Sequence, residues 1–176
     1  MRSVPDLPLT VEPGRSVVAP VLIDGLPDRI EALGESWSRK VEFHVTAVSA
    51  ATLQQAGEGD PEVWRAVAAV ARGRSIGPVL VFEDVRRVTH PERPGLRTLI
   101  AMAHAGGLDA LHHDLSVALG TQVGPPPAHI TLYSSDPEAG IGIDTEWELV
   151  QRAPRLGLPA QQEVRDAMSF DRVFGD

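Results

Sequence analysis

The runs Val41–Val48, VEFHVTAV, and Ala128–Ser135, AHITLYSS, constrain the fold more than any other feature of this chain. Both alternate apolar and polar residues, and a strand sends successive side chains to opposite faces. In the first run Phe43, Val45 and Ala47 form an apolar back, and His44 and Thr46 a polar front. In the second, Ala128, Ile130 and Leu132 form the back, and His129, Thr131 and Tyr133 the front. Such a chain must cover two apolar backs with other elements, and it presents the same His-x-Thr pair on two fronts.

The covering elements follow from periodicity and from turn residues. Val17–Ile23 is an apolar run of strand length that ends at the turn sequence DGLP. Asp28–Trp37 predicts a helix, because Ile30, Leu33 and Trp37 fall at i, i+3 and i+7 behind Pro27. Asp60-Pro61 supplies an N-cap and a first-turn proline for a helix to about Arg72. Residues 78–88 and 96–104, separated by THPERPG, predict an antiparallel hairpin. Leu108, Leu111, Leu115 and Leu119 mark the apolar face of a further helix, stopped by Gly120. Beyond the second His-x-Thr run, residues 134–143 read as a loop or single turn, with Gly140-Ile141-Gly142 a flexible cleft-side stretch, Trp147–Arg152 as a short strand, and 153–176 as a tail with one helical turn near Val164–Met168.

The order strand, helix, His-x-Thr strand therefore occurs twice, over 17–48 and over 96–133, as a repeat of pattern without residue identity. It predicts an α+β fold of two pseudo-symmetric lobes, each an antiparallel sheet with helices packed outside, and an active cleft between them. The expected organisation is an extended N-terminal arm at 1–16, one bilobal domain at 17–152 and the C-terminal tail.

Six histidines would be followed two places on by serine or threonine roughly 0.6 times by chance. Here His90, His104, His112 and His113 are not, and the two that are lie at equivalent points of the repeat. The chemistry that uses such a pair is phosphodiester cleavage. Imidazole titrates near neutrality, so one ring accepts a proton from water while the other donates one to a leaving ribose oxygen. A threonine on the same strand face donates its hydroxyl to a non-bridging phosphate oxygen, where charge grows in the transition state.

With HVTA and HITL in this order of elements, the chain resembles the two-histidine phosphoesterase superfamily, which includes bacterial RNA 2′,3′-cyclic phosphodiesterases. The resemblance spans roughly residues 17–152 and rests on the two tetrads and their spacing. It implies that His44 and His129 are the acid-base pair, that Thr46 and Thr131 hold the substrate phosphate, and that the reaction needs neither metal nor cofactor. The implied partner is a small nucleotide or an RNA terminus bearing a cyclic phosphate. A binding module that captures a nucleotide or cyclic oligonucleotide without turnover is the alternative on the same fold. Another reading makes the tail a docking segment built on Val164, Met168 and Phe170.

Other residues narrow these expectations. Tyr133, on the front with His129 and Thr131, is a candidate to stack on a base, and Arg97 a candidate to meet the nucleotide. His112-His113-Asp114, with His104 and Asp109 nearby, suggests a zinc site, but adjacent helical residues point about 100° apart and share one ion poorly. Gly140-Ile141-Gly142 is too short for a dinucleotide loop. The chain has no cysteine, which excludes thiolate ligands and nucleophiles. Its formal charge is −8, with Lys40 the only lysine beside 15 arginines. That balance argues against a duplex nucleic acid as partner. No apolar run is long enough for a membrane span and no signal peptide is evident, so the expectation is a cytoplasmic monomer.

Overall fold

The computed structural model describes residues 2–4, 6–12, 16–57 and 60–175. Residues 1, 5 and 13–15 of the expected arm, and residue 176 of the expected tail, lie outside the described residues. In chain order the elements are β1 (Arg2–Val4), β2 (Leu7–Pro8), β3 (Thr10–Glu12), β4 (Ser16–Val21), β5 (Arg29–Ala32), β6 (Glu35–Arg39) and β7 (Phe43–Val48). There follow α1 (Ala50–Gly57), α2 (Pro61–Ala71), β8 (Ser75–Ile76), β9 (Val79–Thr89), β10 (Arg97–Ala105), α3 (Leu108–Leu119) and β11 (His129–Ser134). Three helices close the chain: α4 (Glu146–Arg152), α5 (Leu158–Ala167) and α6 (Phe170–Phe174). The fold is α+β, and every strand pairing among the described residues is antiparallel. Among those residues no helix is long and apolar enough to cross a membrane.

One sheet carries the architecture, in the order β1-β9-β10-β11-β7-β4-β3, with the β5–β6 hairpin joined through β6 to β11. The two His-x-Thr strands are thus central neighbours, flanked by β10 on one side and β4 on the other. The main core joins Val45, Ala47, Ile130 and Leu132 of these strands to Val63 and Val67 of α2 and Leu111 and Leu115 of α3. A smaller cluster of Val88, Leu96, Ile100, Ile141, Ile143, Leu149 and Ala153 also forms, with Met102 packed against it. Successive residues of β10 divide between the two: Leu99 and Ala101 enter the main core, Ile100 and Met102 the smaller one. They mark the two faces of the sheet.

Asp60 caps α2 through its carboxylate, which accepts from the Glu62 N–H at 2.8 Å, and Pro61 occupies the first turn. Gly120 ends α3 in the left-handed conformation. The expected hairpin at 78–88 and 96–104 is β9–β10.

Three local expectations are corrected. Asp28–Trp37 is not a helix but the β5–β6 hairpin, turned by Leu33 and Gly34, whose φ values are +57° and +71°. Two consecutive positive φ angles match the twist of a two-residue hairpin loop. Ile30 and Trp37 face each other across that hairpin and are both buried, so a spacing of seven served a cross-strand pair rather than one helix face. The repeat is correspondingly unequal, strand-hairpin-strand and then strand-helix-strand. Trp147–Arg152 is helical, not extended, because Thr145 caps α4 by accepting from the Glu148 N–H at 3.1 Å. Residues 158–174 form two helices in place of one turn, and Val164, Met168, Phe170 and Phe174 lie in the main core. The side chains considered for docking a partner are therefore spent on the protein's own interior.

Candidate functional site

Val45 of β7 is paired with Ile130 of β11, and both are wholly buried in the main core. The residues one step to either side are His44 and Thr46 on one strand, His129 and Thr131 on the other. Antiparallel pairing sets these four on the opposite face, each histidine beside the other strand's threonine. Thr131 and His129 are in register with Ile100 and Met102 of β10, which places the quartet on the face of the smaller cluster. All four line one pocket of about 910 Å³.

The pocket's far wall is the segment 137–144, which includes Gly140-Ile141-Gly142-Ile143. Ile141 and Ile143 are anchored in the smaller cluster, so this loop is held to the sheet by apolar packing. Lys40 holds it from the other side, its ammonium donating to the carbonyl oxygens of Pro137 and Ala139. Among the described residues, Lys40 is the only cation other than histidine on the pocket wall, against four carboxylates: Glu12, Glu42, Glu138 and Asp144.

The two histidines have different surroundings. His129 is 7% exposed, and its Nδ1–H donates to the Pro127 carbonyl at 2.7 Å in the neutral tautomer, leaving the Nε2 lone pair unused. Burial lowers its pKa below the usual imidazole value; the Pro127 carbonyl opposes that shift and the neighbouring charge of His44 adds to it. His44 is exposed on its strand. Partial burial also lowers its pKa, while Glu12 and Glu42 pull it upward.

Tyr133 does not share the front of β11. The register shifts between Leu99 and Ile100, Leu99 pairing with Tyr133 and Ile100 with Thr131, so Leu132 is an extra residue in a β-bulge. The bulge reverses the alternation and sends Tyr133 into the main core, fully buried, with its hydroxyl donating to the Pro27 carbonyl at 3.0 Å. Burial pushes its phenol up to about 12. Arg97 is likewise absent from the pocket wall; its Nε meets Glu35 Oε2 at 2.7 Å, and Arg87 meets the other oxygen at 3.2 Å. Within 112–114 the residues are dispersed. His112 is buried with Nε2 2.7 Å from the Ala47 carbonyl, and Asp114 pairs with Arg74. Among the described residues no three histidine, aspartate or glutamate side chains form a metal-binding group.

Lys40, Glu12, Glu42 and Asp144 are pocket residues that motif reading passes over. Only Lys40 carried a signal, as the sole lysine placed just before the first His-x-Thr strand. Comparison of the chain with protein-family models, with curated proteins and with solved structures finds no match in any of the three.

Proposed function

We propose that this protein is a metal-independent phosphodiesterase that opens a 2′,3′-cyclic phosphate or a small cyclic nucleotide, in the manner of the two-histidine phosphoesterases it resembles. The observation that carries the reading is the pairing of β7 with β11 about Val45 and Ile130, with all four His-x-Thr side chains lining one pocket. In this reading the halves of the sheet on either side of that seam are the two lobes, and the pocket over it is the cleft.

His129 is the base. Its Nε2 takes a proton from the attacking water as the water oxygen bonds to phosphorus, and Pro127 holds the ring in the tautomer that keeps Nε2 free. His44 is the acid: Glu12 and Glu42 favour its charged form, and its proton goes to the ribose oxygen as the P–O bond breaks. Thr46 and Thr131 donate hydroxyls to the non-bridging oxygens, whose negative charge rises as the fifth bond forms. The product is a phosphomonoester with one free ribose hydroxyl. Arg97 takes no part, since it is held by Glu35.

The test is incubation with the four nucleoside 2′,3′-cyclic phosphates in excess chelator, followed by separation of the phosphomonoester. Turnover is expected, undiminished by chelation. His44→Ala and His129→Ala should each lower kcat by about 10² or more, and the double variant by much less than the product of the two. Thr46→Ala or Thr131→Ala should cost roughly 10²–10³ at most. Wild-type turnover in both histidine variants, or complete loss with chelator, overturns the mechanism; tight nucleotide binding without product in folded protein replaces it with the binding module.

A further inference from the structure

Among the described residues, the pocket that would bind a phosphate is lined by more acid than base. Lys40, the only lysine of the chain, has its ammonium committed to the carbonyls of Pro137 and Ala139. Glu12 and Glu42 border the pocket on the side of β3 and β7, and Glu138 and Asp144 on the loop opposite. Among the described residues no arginine lines it. Four carboxylates thus surround a quartet whose own attraction for an anion is one protonated imidazole and hydrogen-bond donors aimed at a single phosphate.

We propose that this lining selects substrate by charge: the pocket takes mononucleoside cyclic phosphates, which carry one negative charge, and disfavours the same cyclic phosphate at the end of an RNA strand. This rests on the phosphodiesterase reading above. A cyclic diester is a monoanion, and its charge is met at the bottom of the pocket by His44 and the two threonines. Every further phosphodiester of a strand adds a negative charge that must lie near or across the rim formed by Glu12, Glu42, Glu138 and Asp144. Proteins that track single strands provide the reverse arrangement, a positive channel. The same rim assists turnover. Ring opening converts a monoanion into a phosphomonoester carrying close to two charges near neutral pH, which the carboxylates repel more strongly than the substrate.

The sign of the salt dependence separates this from ordinary nucleic-acid recognition. Basic sites lose affinity for a strand as salt rises. Here salt should screen repulsion, since the Debye length falls from ~30 Å at 0.01 M to ~8 Å at 0.15 M. The experiment measures kcat/KM for a nucleoside 2′,3′-cyclic phosphate and for a hexanucleotide ending in the same cyclic nucleotide, at both salt concentrations. At low salt the hexanucleotide is expected to be poorer by on the order of tenfold, with the gap narrowing several-fold at the higher salt. Glu138→Lys, on an exposed loop position outside the reacting quartet, should raise the ratio of hexanucleotide to mononucleotide kcat/KM at low salt. A hexanucleotide used as well as the mononucleotide at low salt, or losing efficiency as salt rises, overturns the charge selection and leaves the phosphodiesterase reading standing. An unchanged ratio in folded Glu138→Lys protein also overturns it. Failure to turn over either substrate at both salt concentrations overturns the phosphodiesterase reading itself, and the selection with it.

Discussion

At the residue scale, the two histidines are chemically distinguished by what touches them rather than by their motif. His129 has a carbonyl on one nitrogen and little solvent; His44 has solvent and two carboxylates in its field. Burial is the largest influence on both and lowers both, so both limbs of an activity-against-pH curve should lie to the acid side of the usual imidazole value. In the proposed mechanism the rising limb follows deprotonation of His129 as base, and the falling limb deprotonation of His44 as acid. A bell with its optimum below neutrality is the expected profile of kcat/KM. Glu42→Gln removes one of the charges that raise the His44 pKa, so the alkaline limb should move further toward acid while the acid limb stays in place. Movement of the acid limb instead would exchange the two roles.

At the scale of elements, positions with unusual backbone decide what pattern counting leaves ambiguous. The β5–β6 turn requires two residues at positive φ, one of them Leu33. Leu33 is kept there by packing against the main core and by its N–H, which donates to Glu163 Oε1 at 2.6 Å. Gly34 has open space around it, so a methyl group added there meets no atom, and the cost of Gly34→Ala is conformational alone. Urea unfolding should show a loss of roughly 1–2 kcal/mol for that variant. An unaffected midpoint would mean the hairpin turn is not as described. The β11 bulge works the same way: one residue without a β10 partner, Leu132, removes Tyr133 from the front and adds an aromatic ring to the core. Alternation read from sequence has no means of counting an inserted residue.

At the scale of the molecule, the C-terminal helices belong to the core that backs the two His-x-Thr strands. Phe170 and Phe174 pack on each other with ring centroids 4.6 Å apart, and Arg165 lies over the Phe170 ring while pairing with Glu83 and Asp171. Phe170→Ala should therefore destabilise the whole protein by about 3–5 kcal/mol, read from its unfolding midpoint, and not merely free a tail. A variant as stable as the parent would show that the helices detach. Acid should also weaken the fold. His44, His112 and His129 all have folded pKa values lowered by burial, whereas in the unfolded chain they titrate near 6.5. Above that pH both states are neutral; below it the unfolded chain takes up protons that the folded one refuses, so stability falls as pH drops from about 6.5 toward the folded values. Unfolding free energy at pH 5.5 should be lower than at pH 7.5, and His112→Gln should flatten that dependence. An equal or greater stability at pH 5.5 would contradict it.

What the sequence by itself determined was local and periodic: the two alternating strands, the capped α2, the leucine face of α3, the β9–β10 hairpin and the four His-x-Thr residues. Each is legible because a side chain's direction follows from its neighbours in the chain, through the two-residue repeat of a strand or the 3.6-residue repeat of a helix. Tertiary structure decided the rest. It joined β7 to β11 in one sheet, turned Tyr133 inward, tied Arg97 to Glu35, brought the 137–144 loop over the quartet and gathered the acidic rim from β3, the residue before β7 and that loop. Glu12 and Asp144 are 132 positions apart in the chain yet line one pocket. Contacts between residues so distant depend on which strands pair and in what register, and no local periodicity encodes that.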